Sequence, residues 1–151
     1  MKKILLITAL GLSFAFAGSV APVNNALYQK ECASCHFGYQ PALLGRVSWE
    51  KVMGNLSDHF GTDASLGKVE SEQILNYLVN NAGSGKITAN NTDMQITKSS
   101  YFVRKHREVS PKMIAQKEVG SIANCIACHT TADKGSYSER AIVIPNYGRW
   151  E

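Results

Sequence analysis

The 151-residue sequence predicts a mainly α-helical fold. Apolar residues recur at helical spacing through most of the chain, with only one short extended run, Ile142-Val143-Ile144-Pro145, near its end. Two pentapeptides of the form C-x-x-C-H, at 32–36 and 125–129, divide the chain into two halves. A stretch rich in Gly, Ser, Thr and Asn, residues 83–100, lies between them and marks the internal boundary.

The first 17 residues read as an export signal and are set apart from the fold. Lys2 and Lys3 form a basic start, Ile4 to Phe16 is an almost unbroken apolar run, and Ala15-Phe16-Ala17 is a small-residue cleavage site before Gly18. The run is short for a bilayer span, so the expectation is an exported, periplasmic chain of residues 18–151. Without Lys2 and Lys3, 14 basic residues face 12 acidic ones. A formal charge of +2 is too small for a nucleic-acid binder. The remainder divides into an N-terminal half, 18–85, and a C-terminal half, 86–151.

In the first half the pattern predicts a helix over 24–36 with Leu27, Tyr28 and Cys32 inward, then a loop over 37–47. Trp49, Val52, Met53, Leu56, His59 and Phe60 follow at i, i+3, i+4, i+7, i+10 and i+11, one stripe of an amphipathic helix stopped by Gly61. Ser71 is the predicted cap of a third helix, with Ile74, Leu75, Leu78, Val79 and Ala82 on its apolar face and Gly83 at its end. Beyond the boundary, Phe102, His106 and Val109 share a face of a helix over 101–109, with Arg104 and Arg107 pointing elsewhere. A break at Ser110-Pro111, a short helix over 112–118 and a helix from Ser121 through His129 complete the pattern, before a turn at Lys134-Gly135.

The two pentapeptides carry the chemistry. C-x-x-C-H is the attachment signature of c-type haem. Thiols three residues apart on one helical turn share a face and can bond the two vinyl groups on one haem edge, while the next residue, a histidine, turns its imidazole to the iron. Cys32, Cys35, Cys125 and Cys128 are thus the covalent attachment points, and His36 and His129 the proximal ligands, of two haem c groups. Disulfides would use the cysteines but not the histidines. A thioredoxin-like pair expects a βαβ context, and zinc gives no reason for a histidine directly after each pair.

The chain holds four histidines, which leaves one spare per haem. His59 lies on the apolar stripe of its helix, with Met53 on the same stripe as its main rival and Met94 and Met113 further along. His106 lies among Arg104, Lys105 and Arg107. Both are read as second axial ligands. Chain order favours pairing within each half, His36 with His59 and His106 with His129, over a crossed arrangement in which a histidine of one half caps the haem of the other. Haem iron closed by a second protein ligand suits electron transfer, whereas an open position suits gas binding or peroxide chemistry. Arg104 and Arg107 are candidate partners for haem propionates, since guanidinium binds carboxylates bidentately. A docking patch for a redox partner is the other use for these charges.

The residues also resemble known families. The first half looks like a class I cytochrome c, with its CASCH helix, distal-ligand loop and ILNYLVNNAG terminal helix. The stretch from YFVRKHREV through NCIACHTTADKGSYSERAIVIP resembles the C-terminal half of the small periplasmic dihaem cytochrome c family, and so does 49–61. The resemblance covers most of the exported chain and is weak in 83–100 and in NYGRWE. It implies a mainly α fold, a class I-like half plus a smaller and less regular half, packed around two haems. It also implies bis-His ligation and electron transfer, with partners such as a membrane b-type cytochrome or another periplasmic haem protein. Contact with a membrane surface is expected only through such a partner. A histidine in a helix replaces the class I methionine in a loop, so Met/His potentials do not carry over. The sequence-based function is an electron carrier; a haem enzyme or gas sensor with one open iron, or a fixed subunit of a larger redox complex, is the alternative.

A chain this short buries a modest core, and two porphyrins would replace much of it. The haem-free polypeptide is therefore expected to lack a cooperative unfolding transition, which calorimetry on protein made without haem attachment checks.

Overall fold

The computed structural model describes residues 18–88 and 93–150. The export-signal segment, 1–17, lies outside the described residues, as do 89–92 within the predicted boundary stretch. Five short α-helices and a series of 3₁₀ turns make up the fold: α1 Ala26–Cys32, α2 Arg46–Met53, α3 Lys68–Asn80, α4 Ser100–Lys105 and α5 Pro111–Ile114. A two-stranded antiparallel hairpin follows, β1 Val143–Ile144 with β2 Gly148–Arg149.

The hydrophobic core lies in the first half. Tyr28 of α1, Leu44, Trp49, Val52 and Met53 of α2, and Ile74 and Leu78 of α3 form one buried cluster. Two polar tips inside it are satisfied: the Trp49 indole donates to Pro41 O at 2.7 Å and the Tyr28 hydroxyl to Tyr39 O at 2.8 Å. Gly83 after α3 passes so close to the loop before α2 that any Cβ would run into Ala42 O, while its N–H donates to Leu44 O.

Several helices are shorter than the periodicity predicts, and the reasons are local. The first helix starts where Asn25 caps the Tyr28 N–H and stops at Cys32 rather than 36. The second stops at Met53. The next five residues, GNLSD, supply side chains that bond nearby backbone: Asn55 Nδ2 donates to Asp58 O at 2.9 Å and Asp58 Oδ1 accepts from Gly61 N–H at 2.9 Å. Such bonds compete with helix propagation, so the stripe from Trp49 to Phe60 is broken after Met53. The third helix starts earlier than predicted, at Lys68 after Gly67, and Ser71 is internal to it rather than its cap. The fourth ends at Lys105, leaving Val109 beyond the helix. The fifth is confined to Pro111–Ile114.

The predicted helix from Ser121 through His129 is not formed. Gly120 takes a left-handed φ of 68°, Ser121 Oγ accepts from Ala123 N–H and Asn124 Nδ2 donates to Val119 O. Only Cys125–Ala127 makes a 3₁₀ turn. Ile122 and Ile126 are exposed.

The two halves interlock at their ends. Val20 N–H donates to Gly135 O and Tyr137 N–H to Gly18 O, both at 2.8 Å, so the start of the described chain lies against the turn after the second motif. Gly135 has φ 76°, and a Cβ there would collide with Val20 O. Replacing Gly135 with Ala is expected to cost about 1–3 kcal/mol, read as a lower denaturant midpoint of the haem-loaded protein.

Candidate haem centres

At the first centre, Cys32 ends α1 and the turn of residues 33–36 carries Cys35 and His36 beyond it. The His36 imidazole donates through Nδ1 to Phe37 O at 2.8 Å, which leaves Nε2 as the acceptor that a metal can use. Facing it is His59. The sequence places His59 on a helix; the structure places it at the start of a tight turn. His59 N–H donates to Thr62 O at 2.8 Å and Thr62 N–H to His59 O at 3.2 Å. The two residues between, Phe60 and Gly61, both have positive φ, 54° and 89°, as a type I′ turn requires. The cost to an aromatic residue in this conformation is roughly 1–2 kcal/mol. The turn aims His59 back at α1, with Phe60 against its ring edge at 4.8 Å. Met53, the rival ligand in sequence, is instead part of the buried core.

The second centre is built from the C-terminal half. Cys125, Cys128 and His129 lie on the 3₁₀ turn and just after it, where His129 N–H donates to Cys125 O at 2.8 Å. The C-terminal hairpin holds this stretch from the other side: His129 bridges Ile142, and Val143 N–H donates to Cys128 O at 3.0 Å. His106 caps the C-terminus of α4. Its backbone N–H and its Nδ1–H both point at Phe102 O, at 3.0 and 2.9 Å.

The ring separations are the central observation. His36 and His59 have centroids 6.2 Å apart and nearly parallel, at 19°. His106 and His129 are 6.1 Å apart at 72°. Imidazole nitrogens bind such metals at about 2.0–2.1 Å, which puts each ring centroid roughly 3 Å from the metal. Two imidazoles on opposite sides of one iron would therefore lie about 6 Å apart. The structure brings together both pairs at that spacing, each within one half of the sequence.

The electrostatics agree with a metal-binding role. Burial holds His59, His106 and His129 below the usual histidine range, with the neighbouring His36 adding to the effect at His59 and His106 at His129. At His106 the Phe102 carbonyl works partly against burial. The neutral imidazole is the ligating form. His129 Nδ1 is buried without a hydrogen-bond partner, the state in which a ring nitrogen gains most from a bound group. All four cysteines are free thiols. Burial pushes Cys32 and Cys125 up to about 11, with the Glu31 carboxylate adding to the effect at Cys32, and raises Cys128 as well. Among the described residues no group of three or more His, Cys, Asp or Glu is placed to hold a metal ion.

Comparison with known proteins decides the family. The model of the family described as dihaem cytochrome c matches residues 28–137. The chain belongs to the dihaem cytochrome c family. It is 38% identical to the crystallographic diheme cytochrome c of Shewanella baltica OS155, with a TM-score of 0.74 over 84% of this chain and 98% of that one. Two structures of the Rhodobacter sphaeroides diheme cytochrome c are 41% and 39% identical, with TM-scores of 0.68 and 0.71. They cover 77% and 78% of this chain and 99% and 100% of theirs. No curated protein matches.

As a dihaem cytochrome c, the chain carries two haem c groups, and the residues present fit them: two C-x-x-C-H motifs and two imidazole pairs with centroids 6.2 and 6.1 Å apart. The two centres are tied together by residues that the sequence does not mark. Tyr39 packs its ring on His36 at 5.2 Å and donates its hydroxyl to Ala123 O at 2.8 Å, two residues before Cys125. Gln40, fully buried, donates to Ala132 O and accepts from the Tyr137 hydroxyl, whose ring lies 5.3 Å from that of His129. In sequence these are ordinary loop residues. Only their partners, more than 80 positions away, reveal the role.

A cleft of about 350 Å³ opens along this seam, lined by Cys35, His36, Tyr39 and the stretch before Cys125. A second cleft, about 340 Å³, is lined by Arg104, Lys105, Arg107, Glu108, Glu139 and Trp150. Arg104 stacks on Tyr101 at 5.3 Å, and Arg107 meets Glu108 at 3.3 Å on the surface. Gln40→Leu would leave Ala132 O and the Tyr137 hydroxyl without their buried partner. The expected loss of stability is about 1–3 kcal/mol, measured by denaturant unfolding of the haem-loaded protein.

Proposed function

We propose that this protein is a one-electron carrier in which both irons are closed by two histidines, His36 with His59 and His106 with His129. The observation that carries this reading is the pair of ring separations, 6.2 and 6.1 Å. An imidazole on each side of an iron leaves no position for substrate, so the protein is a carrier and not an enzyme in its own right.

The chain's residues divide the work. Cys32 and Cys35 hold one haem and Cys125 and Cys128 the other. The attachment would be through thioether bonds from these sulfurs to the vinyl groups of each haem. Bound in this way, each haem supplies a ferric–ferrous couple. Phe37 O and Phe102 O hold His36 and His106 in the tautomer that offers Nε2. Arg104 and Arg107, beside the His106 helix, serve the negative charge of propionates or of an incoming partner. The basic start, apolar run and A-x-A site of residues 1–17 support export to the periplasm. Partners there would be a membrane b-type cytochrome or another haem protein. Among the described residues no helix is long and apolar enough to cross a membrane.

The ferrous wild-type protein is expected to stay low-spin and to bind no carbon monoxide. His59→Ala and His106→Ala should each open one iron and take up close to one carbon monoxide per chain, followed by the Soret shift. Carbon monoxide binding by the wild type would replace the carrier reading with that of a gas-binding or catalytic haem protein.

A further inference from the structure

The two histidine pairs have the same separation but not the same orientation. The first is nearly parallel, at 19°, and the second is close to perpendicular, at 72°. The local structure accounts for the difference. At the first centre Phe60 meets the His59 ring edge-on, at 4.8 Å and 61°. At the second, His106 lies flat on Phe102, with ring centroids 3.8 Å apart and planes 14° apart.

Phe102 is itself fixed. It is buried, and its N–H donates to Ser99 Oγ at 3.1 Å at the cap of α4. Its carbonyl receives the His106 Nδ1–H at 2.9 Å. The hydrogen bond decides which edge of the imidazole faces the helix, and the stacked face decides the plane. Across the gap, His129 is held by its bridge to Ile142 and by the Tyr137 ring, 5.3 Å away at 64°. Tyr137 is anchored in turn by Gln40.

We propose that Phe102 is a positioning residue which locks the His106 plane nearly perpendicular to that of His129, and so makes the second haem electronically unlike the first. This rests on the axial ligands proposed above. The physics is that of π donation. Each imidazole raises the iron d orbital that lies perpendicular to its ring plane. Parallel rings raise the same orbital, split it from its partner and give a rhombic low-spin ferric signal. Perpendicular rings raise both orbitals alike, leave them nearly degenerate and give a strongly anisotropic signal with one dominant low-field feature. The protein thereby distinguishes two centres with the same ligand type through orientation alone, one of the levers open to a haem protein beyond ligand identity.

Electron paramagnetic resonance of the oxidised, haem-loaded wild type tests this directly. The expected spectrum is the sum of one rhombic signal and one strongly anisotropic signal, in equal amounts. Phe102→Leu keeps the backbone carbonyl but removes the flat face, so the low-field feature should shift towards the rhombic signal while the other signal stays in place. Phe102→Tyr, which restores the ring, should retain the wild-type pattern. Two rhombic low-spin signals in the wild type, or a low-field feature that survives in Phe102→Leu, would overturn the role of Phe102 and leave the ligand set standing. A high-spin ferric signal would overturn the ligand set and this role with it. The wild-type spectrum decides even where the leucine variant fails to take up both haems.

Discussion

The structure depends on one constraint, a gap of about 6 Å between two imidazole rings, met twice. A pair of rings held that far apart leaves a slot where neither ring satisfies the other. Four parts of the fold bear on the four rings. The end of α1 and the Phe37 carbonyl orient His36, and a strained type I′ turn delivers His59. The Phe102 face and carbonyl fix His106, and the C-terminal hairpin fixes His129. The unusual backbone at Phe60 is understandable in this setting: strain of this kind persists only where the surroundings over-determine it, and here it aims the His59 ring at His36.

The division of the core follows from the same constraint. The buried apolar cluster lies in the first half, between α1, α2 and α3, with Met94 and Ile96 of the second half packed against it. The second half has turns, a short hairpin and the isoleucines 122 and 126 exposed. A polypeptide this lean in buried side chains needs other partners for its backbone and its apolar surface. Two haem faces provide them in the dihaem cytochrome c family. The buried polar seam of Tyr39, Gln40 and Tyr137 then joins the halves. Polar seams favour one geometry over near alternatives because a misaligned partner leaves a buried group unsatisfied.

Much of the site was legible in the linear order of residues. The haem motifs are local: a thiol, a thiol three positions on and an adjacent histidine are a chemical unit whose meaning survives in any fold. The count of histidines was equally informative, since four residues for two irons leave one spare for each. The secondary structure around them was less legible. Periodicity predicted one helix through His59 and another through His129; the first stops at Met53 and the second does not form. In both places short polar side chains, Asn55 and Asp58 in the first and Ser121 and Asn124 in the second, bond the nearby backbone and outcompete the apolar stripe. Val109 dropped off its predicted face for a related reason, since α4 ends in a histidine whose ring bonds the last turn.

The sequence alone determined the covalent chemistry, the identity of the candidate ligands and the mainly helical character, because each is a property of neighbours along the chain. Tertiary structure decided which surfaces meet. It placed His59 on a turn instead of a helix, joined Tyr39 to Ala123 and Gln40 to Tyr137 across the two halves, and set one imidazole pair nearly parallel and the other nearly perpendicular. These are angles and contacts between residues distant in sequence. No periodicity encodes them, because they arise only when the backbone has closed and each ring has found the face it packs against.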